Sequence, residues 1–519
     1  MGSKKYAGIV VDQTHPSLDK LFYYYIPDEL AGLAQVGVRV QVPFGPRSLQ
    51  GYILTVDEKV DIPEEKIRPI KKLLDPAPVL NPSIISLILW MKSEYHCMLI
   101  EAIRCFIPPG LRLNIKKKTQ RVAILQETDS LEDWRHQVEA RSPNMASILR
   151  ILEDEDRVPV SELLNMTGAS QSSIRSLQKR GYILLEEEET YRNPWLAPQS
   201  TVVPPVLNEE QIHASRVIGE CIQEGRGTVL VRGVTGSGKT EVYMKAAEEV
   251  VQQGRQVIVL VPEISLTPQT VSRFKDRFGE SVAILHSRLS LGERYDEWRR
   301  IRQNEVSIVV GARSAVFAPL ENLGLIILDE AHEDSYKSDV RPRYHTRELA
   351  AKRCELSRSI LVLGSATPAL EDYHKAKLGE YRLVEMKNRV EDQPLPPVET
   401  IDMRRELEMG NRSMFSNELY RALLHTLKKH EQSILLINRR GYAQFVSCRS
   451  CGHVIKCTHC DVSLTYHSKG QALKCHYCGY QEAYPRTCPQ CGSKHIKNFG
   501  LGTQKVEAEL QQLFPAARL

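Results

Sequence analysis

No run of 18 apolar residues occurs in the 519-residue chain, so no segment reads as a membrane-spanning helix. The opening Met1-Gly2-Ser3-Lys4-Lys5-Tyr6 lacks the apolar stretch of a secretion signal, and the expected setting is the cytoplasm, with no membrane partner. A charge excess is nearly absent as well. The 69 basic and 64 acidic side chains leave +5, too little to require a polyanionic partner by itself. Cysteine is scarce outside one stretch: Cys97, Cys105, Cys221 and Cys354 are scattered and read as buried thiols. The other eight of the twelve lie between 448 and 491, all in Cys-x-x-Cys pairs. In a cytoplasmic chain that pattern favours metal over disulfides.

What the chain does contain is organised around Gly233-Val234-Thr235-Gly236-Ser237-Gly238-Lys239-Thr240, a match to G-x-x-x-x-G-K-[ST]. Thr228-Val229-Leu230-Val231 reads as a buried strand before it. Val242, Ala246 and Val250 mark one face of a helix after it, stopping at Gly254. Glycines let backbone N–H groups and a helix N-terminus close on phosphate oxygens. Lys239 then reaches the β/γ-phosphates and Thr240 offers its hydroxyl to Mg²⁺, so ATP and Mg²⁺ are the expected ligands. Just upstream, Gln211 is a candidate for hydrogen bonding an adenine edge.

Length predicts roughly three to five domains. The fold class expected is multidomain α/β, with these boundaries. Residues 1–113 form a β-rich domain, with strands at Tyr6–Val11, Phe22–Ile26 and Val38–Val42 and one or two helices from Asn81 to Ile103. Lys116-Lys117-Lys118 opens a linker into 114–200. There, helices around Met145–Leu152, from Ser161, and from Ser170 or Ser172 to Gly181 precede a hairpin. That hairpin runs from Tyr182 to Arg192, with 186–189 as an acidic turn. Helix-turn-helix plus hairpin is a winged-helix signature, and Arg175, Lys179 and Arg180 on its third helix suit phosphates. With fourteen acids against twelve bases in 116–200, a protein-contact or spacer role stands beside DNA binding. Prolines at 194, 198, 204 and 205 mark a linker into 201–400, where strands alternate with helices as in a parallel RecA-like sheet. Residues 401–447 and 498–519 begin a second lobe, interrupted by the Cys-rich insertion 448–497.

Leu325-Ile326-Ile327-Leu328 ends in Asp329-Glu330-Ala331-His332. Carboxylates at the C-terminal end of such a strand lie beside the phosphate loop. Asp329 is the expected Mg²⁺ holder, and Glu330 the group that orients and deprotonates the attacking water. His332, Ser365 and Thr367, the last two within Gly364-Ser365-Ala366-Thr367-Pro368, are candidate couplers that switch hydrogen bonds as γ-phosphate leaves. Thr267, in Pro262–Gln269, and Arg313, in Gly311–Ala315, follow strands and suit phosphodiester contacts.

Eight thiolates satisfy two tetrahedral Zn²⁺ ions with no remainder. The inner pairs are fourteen residues apart, which favours nesting: Cys448, Cys451, Cys488 and Cys491 on one ion, and Cys457, Cys460, Cys475 and Cys478 on the other. Interleaving is the competing arrangement. Between Cys448 and Lys497, seven Lys/Arg stand against two Asp/Glu, a local basicity that suits a polyanion.

Taken together, GVTGSGKT, PEISLTPQ, GARSA, DEAH, GSATP and Asn438-Arg439-Arg440-Gly441-Tyr442 resemble superfamily 2 helicases. The Cys-rich insertion after NRRGY narrows this to the family of replication-restart helicases, along the whole chain. The resemblance implies an N-terminal domain that binds a leading-strand 3′ end, a winged helix, and two RecA-like lobes moving 3′ to 5′ on single-stranded and forked DNA. It implies the same nested zinc pairing, and as partners the single-strand-binding protein and other primosome and helicase-loader proteins. It also implies that the segment with Tyr336, Lys337, Arg343 and Tyr344 couples DNA to hydrolysis through stacking and phosphate contacts. Arg439 and Arg440 are implied DNA contacts. The chain departs from the family at Ala331, usually glutamate, and at Phe22-Tyr23, where Phe-Asp is frequent in the 3′-end pocket. Glu94, near Trp90, stands where an aromatic is expected for binding the single-strand-binding protein. The second lobe stops short of the strands and the arginine-bearing motif that complete such a site, so a fragment or an open active site is expected. A translocase without strand separation and a non-enzymatic scaffold are the alternatives.

Overall fold

A computed structural model of the chain describes residues 4–113, 115, 117–126, 142–192, 205–390, 394, 396–436, 445–467, 472–499 and 503–519. It divides into two units, Met1–Pro394 and Leu395–Leu519.

The first unit opens with β1 (Tyr6–Val11), β2 (Phe22–Tyr25), β3 (Arg39–Phe44), β4 (Arg47–Asp57) and β5 (Lys72–Leu73), an antiparallel sheet in the order β2-β1-β4-β3-β5. The long β4 is absent from the sequence reading. It pairs with β3 through a two-residue turn at Gly45-Pro46, where Gly45 has φ +58° and Phe44 faces Arg47. Helices α1 (Pro82–Tyr95), α2 (Leu99–Phe106) and α3 (Pro109–Arg112) follow. Asn81 starts α1 by accepting the Ile84 N–H at 2.8 Å, with Pro82 at the first helical position. A buried fork ties β3 to α3: Arg39 Nε and Nη2 meet Asp75 at 2.7 and 2.8 Å, and Nη1 donates to the Leu111 carbonyl.

Next come β6 (Lys118–Leu125), α4 (Pro143–Asp154), β7 (Arg157–Pro159), α5 (Val160–Thr167), α6 (Gln171–Lys179) and β8 (Ile183–Thr190), with strands ordered β7-β6-β8. Gly168, at φ +62°, ends α5. Two expectations are corrected here. The expected hairpin over 182–192 is instead the single strand β8, paired antiparallel along β6 from Leu125↔Ile183 to Lys118↔Thr190. Lys118 therefore begins a strand rather than a linker. The acidic run stays extended because its charges find partners, Glu186 with Arg157 at 2.7 Å and Glu189 with both Lys117 and Arg299. The run also contains no glycine, proline or asparagine to turn it. The prolines at 194, 198 and 204 lie outside the described residues.

The third layer is a parallel sheet built from α7 (Glu209–Glu224), β9 (Thr228–Gly233), α8 (Lys239–Gln252), β10 (Gln256–Leu260), α9 (Pro268–Phe278), β11 (Val282–Leu285), α10 (Leu291–Arg302), β12 (Ile308–Gly311), β13 (Leu323–Leu328), α11 (Thr346–Ser357), β14 (Ile360–Ser365), α12 (Leu370–Lys377) and β15 (Arg382–Met386). Its order is β11-β12-β10-β13-β14-β9-β15. Along β13, Leu325 and Ile327 enter one core while Ile326 and Leu328 enter the opposite one. Cover on both faces explains the unbroken apolar run. The core on one of those faces continues into the N-terminal domain: Phe106 of α2 meets Phe317 edge-on at 4.9 Å, Phe317 meets Tyr344 at 4.9 Å, and Trp298 Nε1 donates to the Phe106 carbonyl.

The second unit holds α13 (Met403–Glu408), α14 (Asn417–Lys428), β16 (Phe445–Cys448), β17 (Thr465–His467), β18 (Ala472–Lys474), β19 (Gln481–Ala483), β20 (Ile496–Phe499) and α15 (Thr503–Leu513). Its strands form an antiparallel sheet, β19-β18-β17-β16-β20. A small core joins Phe415, Val506, Leu510 and Phe514. Among the described residues this unit has no parallel sheet, and the strand-like Ser433-Ile434-Leu435-Leu436 is unpaired, with Ile434 96% exposed.

Candidate nucleotide site and metal centre

The phosphate loop joins β9 to α8. Gly236 and Gly238 take φ of +85° and +79°, and a Cβ on Gly238 would stand 2.2 Å from Gln211 Nε2. Gln211 is buried in a reciprocal cap with Asn208, and its Nε2 donates to the Ser237 carbonyl at 3.1 Å. Its amide thus braces the loop from behind. Lys239 lies beneath the loop, 8% exposed, with Nζ donating to the Gly233 carbonyl at 2.9 Å. Val234 N–H donates to Met386 O, Val390 N–H to Gly236 O, and Arg389 packs along Gly236. The segment leaving β15 therefore runs against the loop. A cleft of about 530 Å³ opens above it, lined by Thr235, Thr240, Asp329, Glu330, Arg273 and Arg277 among others.

β13 delivers the two carboxylates. Asp329 continues the strand, and Glu330 turns out of it with φ +45°, a left-handed conformation that costs a non-glycine residue on the order of 1 kcal/mol or more. That twist sets its carboxylate 3.9 Å from Lys239 Nζ and 3.6 Å from His332 Nδ1. Burial holds the Asp329 carboxyl above its ordinary pKa, and the neighbouring Glu330 adds to this. Lys239 and the Tyr243 hydroxyl, which donates to Oδ1 at 3.1 Å, pull it back. Tyr243 was not in the sequence reading, because its contact spans 86 positions and leaves no local signal.

Ser365, at the end of β14, accepts the Thr367 N–H at 3.0 Å and sits 2.7 Å from His332 Nδ1. Ser365 therefore hydrogen-bonds both His332 and Thr367, with Glu330 beside the same His332 nitrogen, and Ala331 N–H donating to Gly364 O holds the two loops together. A Cβ on Gly364 would fall 1.5 Å from the Tyr243 hydroxyl. Gly364→Ala is expected to push that hydroxyl off Asp329 and to lower stability by about 1–3 kcal/mol. A denaturation midpoint unchanged from that of the parent would contradict this.

The DNA candidates divide. Lys337 and Arg343 are exposed, and Thr267 caps α9 from the surface. Arg313 is spent on the carbonyls of Ser335 and Lys337 at 3.2 and 2.6 Å, tying two candidate loops together. Tyr336 and Tyr344 require correction. Tyr336 is 1% exposed and donates its hydroxyl to Leu260 O and Asp329 O, and Tyr344 is buried on Phe317. Neither presents a face to a base, since both complete the apolar layer under the N-terminal domain. Arg439 and Arg440 lie outside the described residues.

The second unit brings Cys448, Cys451, Cys488 and Cys491 together, and separately Cys457, Cys460, Cys475 and Cys478, the nested arrangement. Sulfurs across the pairs are 3.6 Å apart: Cys448–Cys491, Cys451–Cys488 and Cys457–Cys478. Tetrahedral zinc with Zn–S of about 2.3 Å needs sulfurs about 3.8 Å apart, so each set fits one ion with no open position. Lys456 pairs with Asp461, Tyr477 is 82% exposed, and Lys469 lies outside the described residues.

Three family descriptions match the chain: a 3′ DNA-binding domain of PriA over 8–108, a DEAD/DEAH box helicase over 211–376, and the Cys-rich region domain of the PriA DNA helicase over 457–482. Among curated proteins, the replication restart protein PriA of Bacillus subtilis is 42% identical across 99% of this chain and 72% of that protein. The Synechocystis protein of the same name is 38% identical over 99% and 71%, and that of Haemophilus influenzae 35% over 96% and 68%.

Proposed function

The chain belongs to the PriA family of replication restart proteins, and from that premise we propose that it is an ATP-hydrolysing 3′-to-5′ DNA helicase. In this reading it engages stalled or abandoned forks and starts primosome assembly. The observation that carries it is the line from Lys239 through Glu330 and His332 to Ser365 and Thr367, which joins the nucleotide loop to the loop after β14. Lys239 leaves the Gly233 carbonyl for the phosphates of bound ATP. Glu330, released from Lys239, accepts the proton of the attacking water. Loss of the γ-phosphate then changes what Glu330 and His332 face, and the Ser365–Thr367 loop reports the change to DNA-side residues such as Lys337 and Arg343. Thr240 and Asp329, hard oxygen donors on one cleft, would hold Mg²⁺, which when bound neutralises charge on the phosphates.

The expected domain division is retained as proposed: 1–113, 114–200, 201–400, a second lobe at 401–447 and 498–519, and the insertion 448–497. Zinc serves as a structural ion, presenting Lys456, Lys474, Tyr466 and Tyr477 to DNA or to a primosome protein. The single-strand-binding protein and other primosome and helicase-loader proteins are the partners this reading expects. The deciding experiment is ATPase stimulated by single-stranded DNA, run beside displacement of a strand from 3′-tailed and 5′-tailed duplexes. Hydrolysis without displacement would reduce the activity to translocation, and no turnover would leave a scaffold.

A pH test follows from Asp329. Tyr243→Phe removes a hydrogen bond that favours the ionised carboxylate, so the Asp329 pKa, already raised by burial, rises further. The acid limb of ATP turnover should therefore move to higher pH, with the alkaline side unchanged. An unmoved limb would show that Asp329 does not need its charge.

A further inference from the structure

The triphosphate assigned to the phosphate loop, Lys239, Thr240, Asp329 and Glu330 uses only part of the wall of the nucleotide cleft. The rest of that wall consists of Pro205, of Glu241 and Met244 on α8, and of Arg273, Asp276 and Arg277 on α9. Glu241 and Met244 follow Thr240 along α8 at about 1.5 Å per residue, so this stretch lies beyond the phosphates, where a nucleoside extends. Gln211 does not face it. Among the described residues that line the cleft Gln211 is absent, and both ends of its amide are engaged. Oε1 accepts the Asn208 N–H at 2.9 Å, and Nε2 donates to the Ser237 carbonyl at 3.1 Å.

A base is held by stacking on a flat group. None of the described lining residues is aromatic, which leaves two guanidinium planes, those of Arg273 and Arg277. Arg277 is already committed: Nη1 meets Glu241 at 3.0 Å, Nε meets Glu248, and the side chain is only 11% exposed. Arg273, one turn earlier on α9, is exposed and has no ion pair or hydrogen bond among the described residues. The carboxylates nearby are turned elsewhere, Glu241 and Glu248 to Arg277, while Asp276 accepts the Ser272 hydroxyl at 2.8 Å. Met244 adds a thioether to the same wall, a soft apolar contact for a ring.

We propose that Arg273 stacks on the nucleobase of bound ATP and holds the base end of the nucleotide, while Gln211 only shapes the phosphate loop. This rests on the reading of the cleft as an ATP site, and names the residue that tells a nucleotide from a bare phosphate chain. Binding to the full chain with Mg²⁺ is measured by calorimetry for two probes, a non-hydrolysable ATP analogue and inorganic tripolyphosphate, which has three phosphates and no base. Arg273→Ala should weaken the analogue by roughly 3–30-fold, the range for a cation stacked on a ring, and leave tripolyphosphate within about twofold. Arg273→Lys keeps the charge without the plane and should restore little of the analogue's affinity. Gln211→Ala, acting through the loop, should weaken both probes alike. Equal weakening of the two probes by Arg273→Ala, an unchanged analogue affinity in that variant, or full rescue by Arg273→Lys would each overturn the proposal. So would a loss confined to the analogue in Gln211→Ala, which would give the base back to Gln211. If the parent chain binds neither probe, the ATP-site reading itself is wrong, a failure distinct from misplacing the base.

Discussion

Glu330→Gln is expected to reduce ATP turnover by roughly 10²–10⁴-fold, the range for losing a general base, while fork binding stays intact. The substitution keeps the size of the side chain and its left-handed backbone, so the cleft keeps its shape. What disappears is the ability to take a proton, together with the charge that faces Lys239 at 3.9 Å and His332 at 3.6 Å. Lys239→Ala should be equally silent for a different reason, because it removes the cation that meets the phosphates. The two are separable by nucleotide binding: the glutamine variant still takes up ATP, whereas the alanine variant takes it up poorly. Substantial hydrolysis by either variant would refute the assignment of its residue.

Removing zinc should have the largest structural effect. Each structural ion contributes on the order of 10 kcal/mol to folding in small zinc domains. The insertion has little else among its described residues, where the buried apolar side chains are Ile455, Leu464, Leu473 and Ile496 beside the cysteines themselves, with Val446 just before it. Chelation should make the segment between Cys448 and Cys491 sensitive to protease and leave melting of the first unit unchanged. Cys448→Ser should lower the metal content from two ions per chain to one, because the nested sets share no ligand. Loss of both ions from that single change would mean the sites are not independent. Persistent protease resistance in verified metal-free protein would show that the core suffices without them.

Features built from contiguous residues were legible. The phosphate loop, the strand before it and the carboxylates at the end of β13 are each written within eight residues, and the cysteine spacing favoured nesting. Chemistry that depends on distant pairing was not. Tyr243 meets Asp329 across 86 positions. The acidic run 186–189 is a strand because Lys117, Arg157 and Arg299 neutralise it, partners that no local pattern reveals. Tyr336 and Tyr344 sit among charged residues and look like exposed stacking groups. Tyr344 is buried on Phe317, which packs on Phe106 more than 200 positions upstream, and Tyr336 is buried against the ends of β10 and β13.

That docking has a consequence for the order in which the protein is made. Helices α1 and α2 are complete at Phe106, but β13, which belongs to the same apolar core, ends at Leu328. At about 5–20 residues per second, the ribosome needs roughly 10–45 seconds to supply those 222 residues (328 minus 106). Throughout that interval Phe106 and its neighbours have only the N-terminal sheet to rest against. The growing chain must keep this apolar face out of solution until its intended cover emerges, which makes the pace of synthesis part of how this protein reaches its fold.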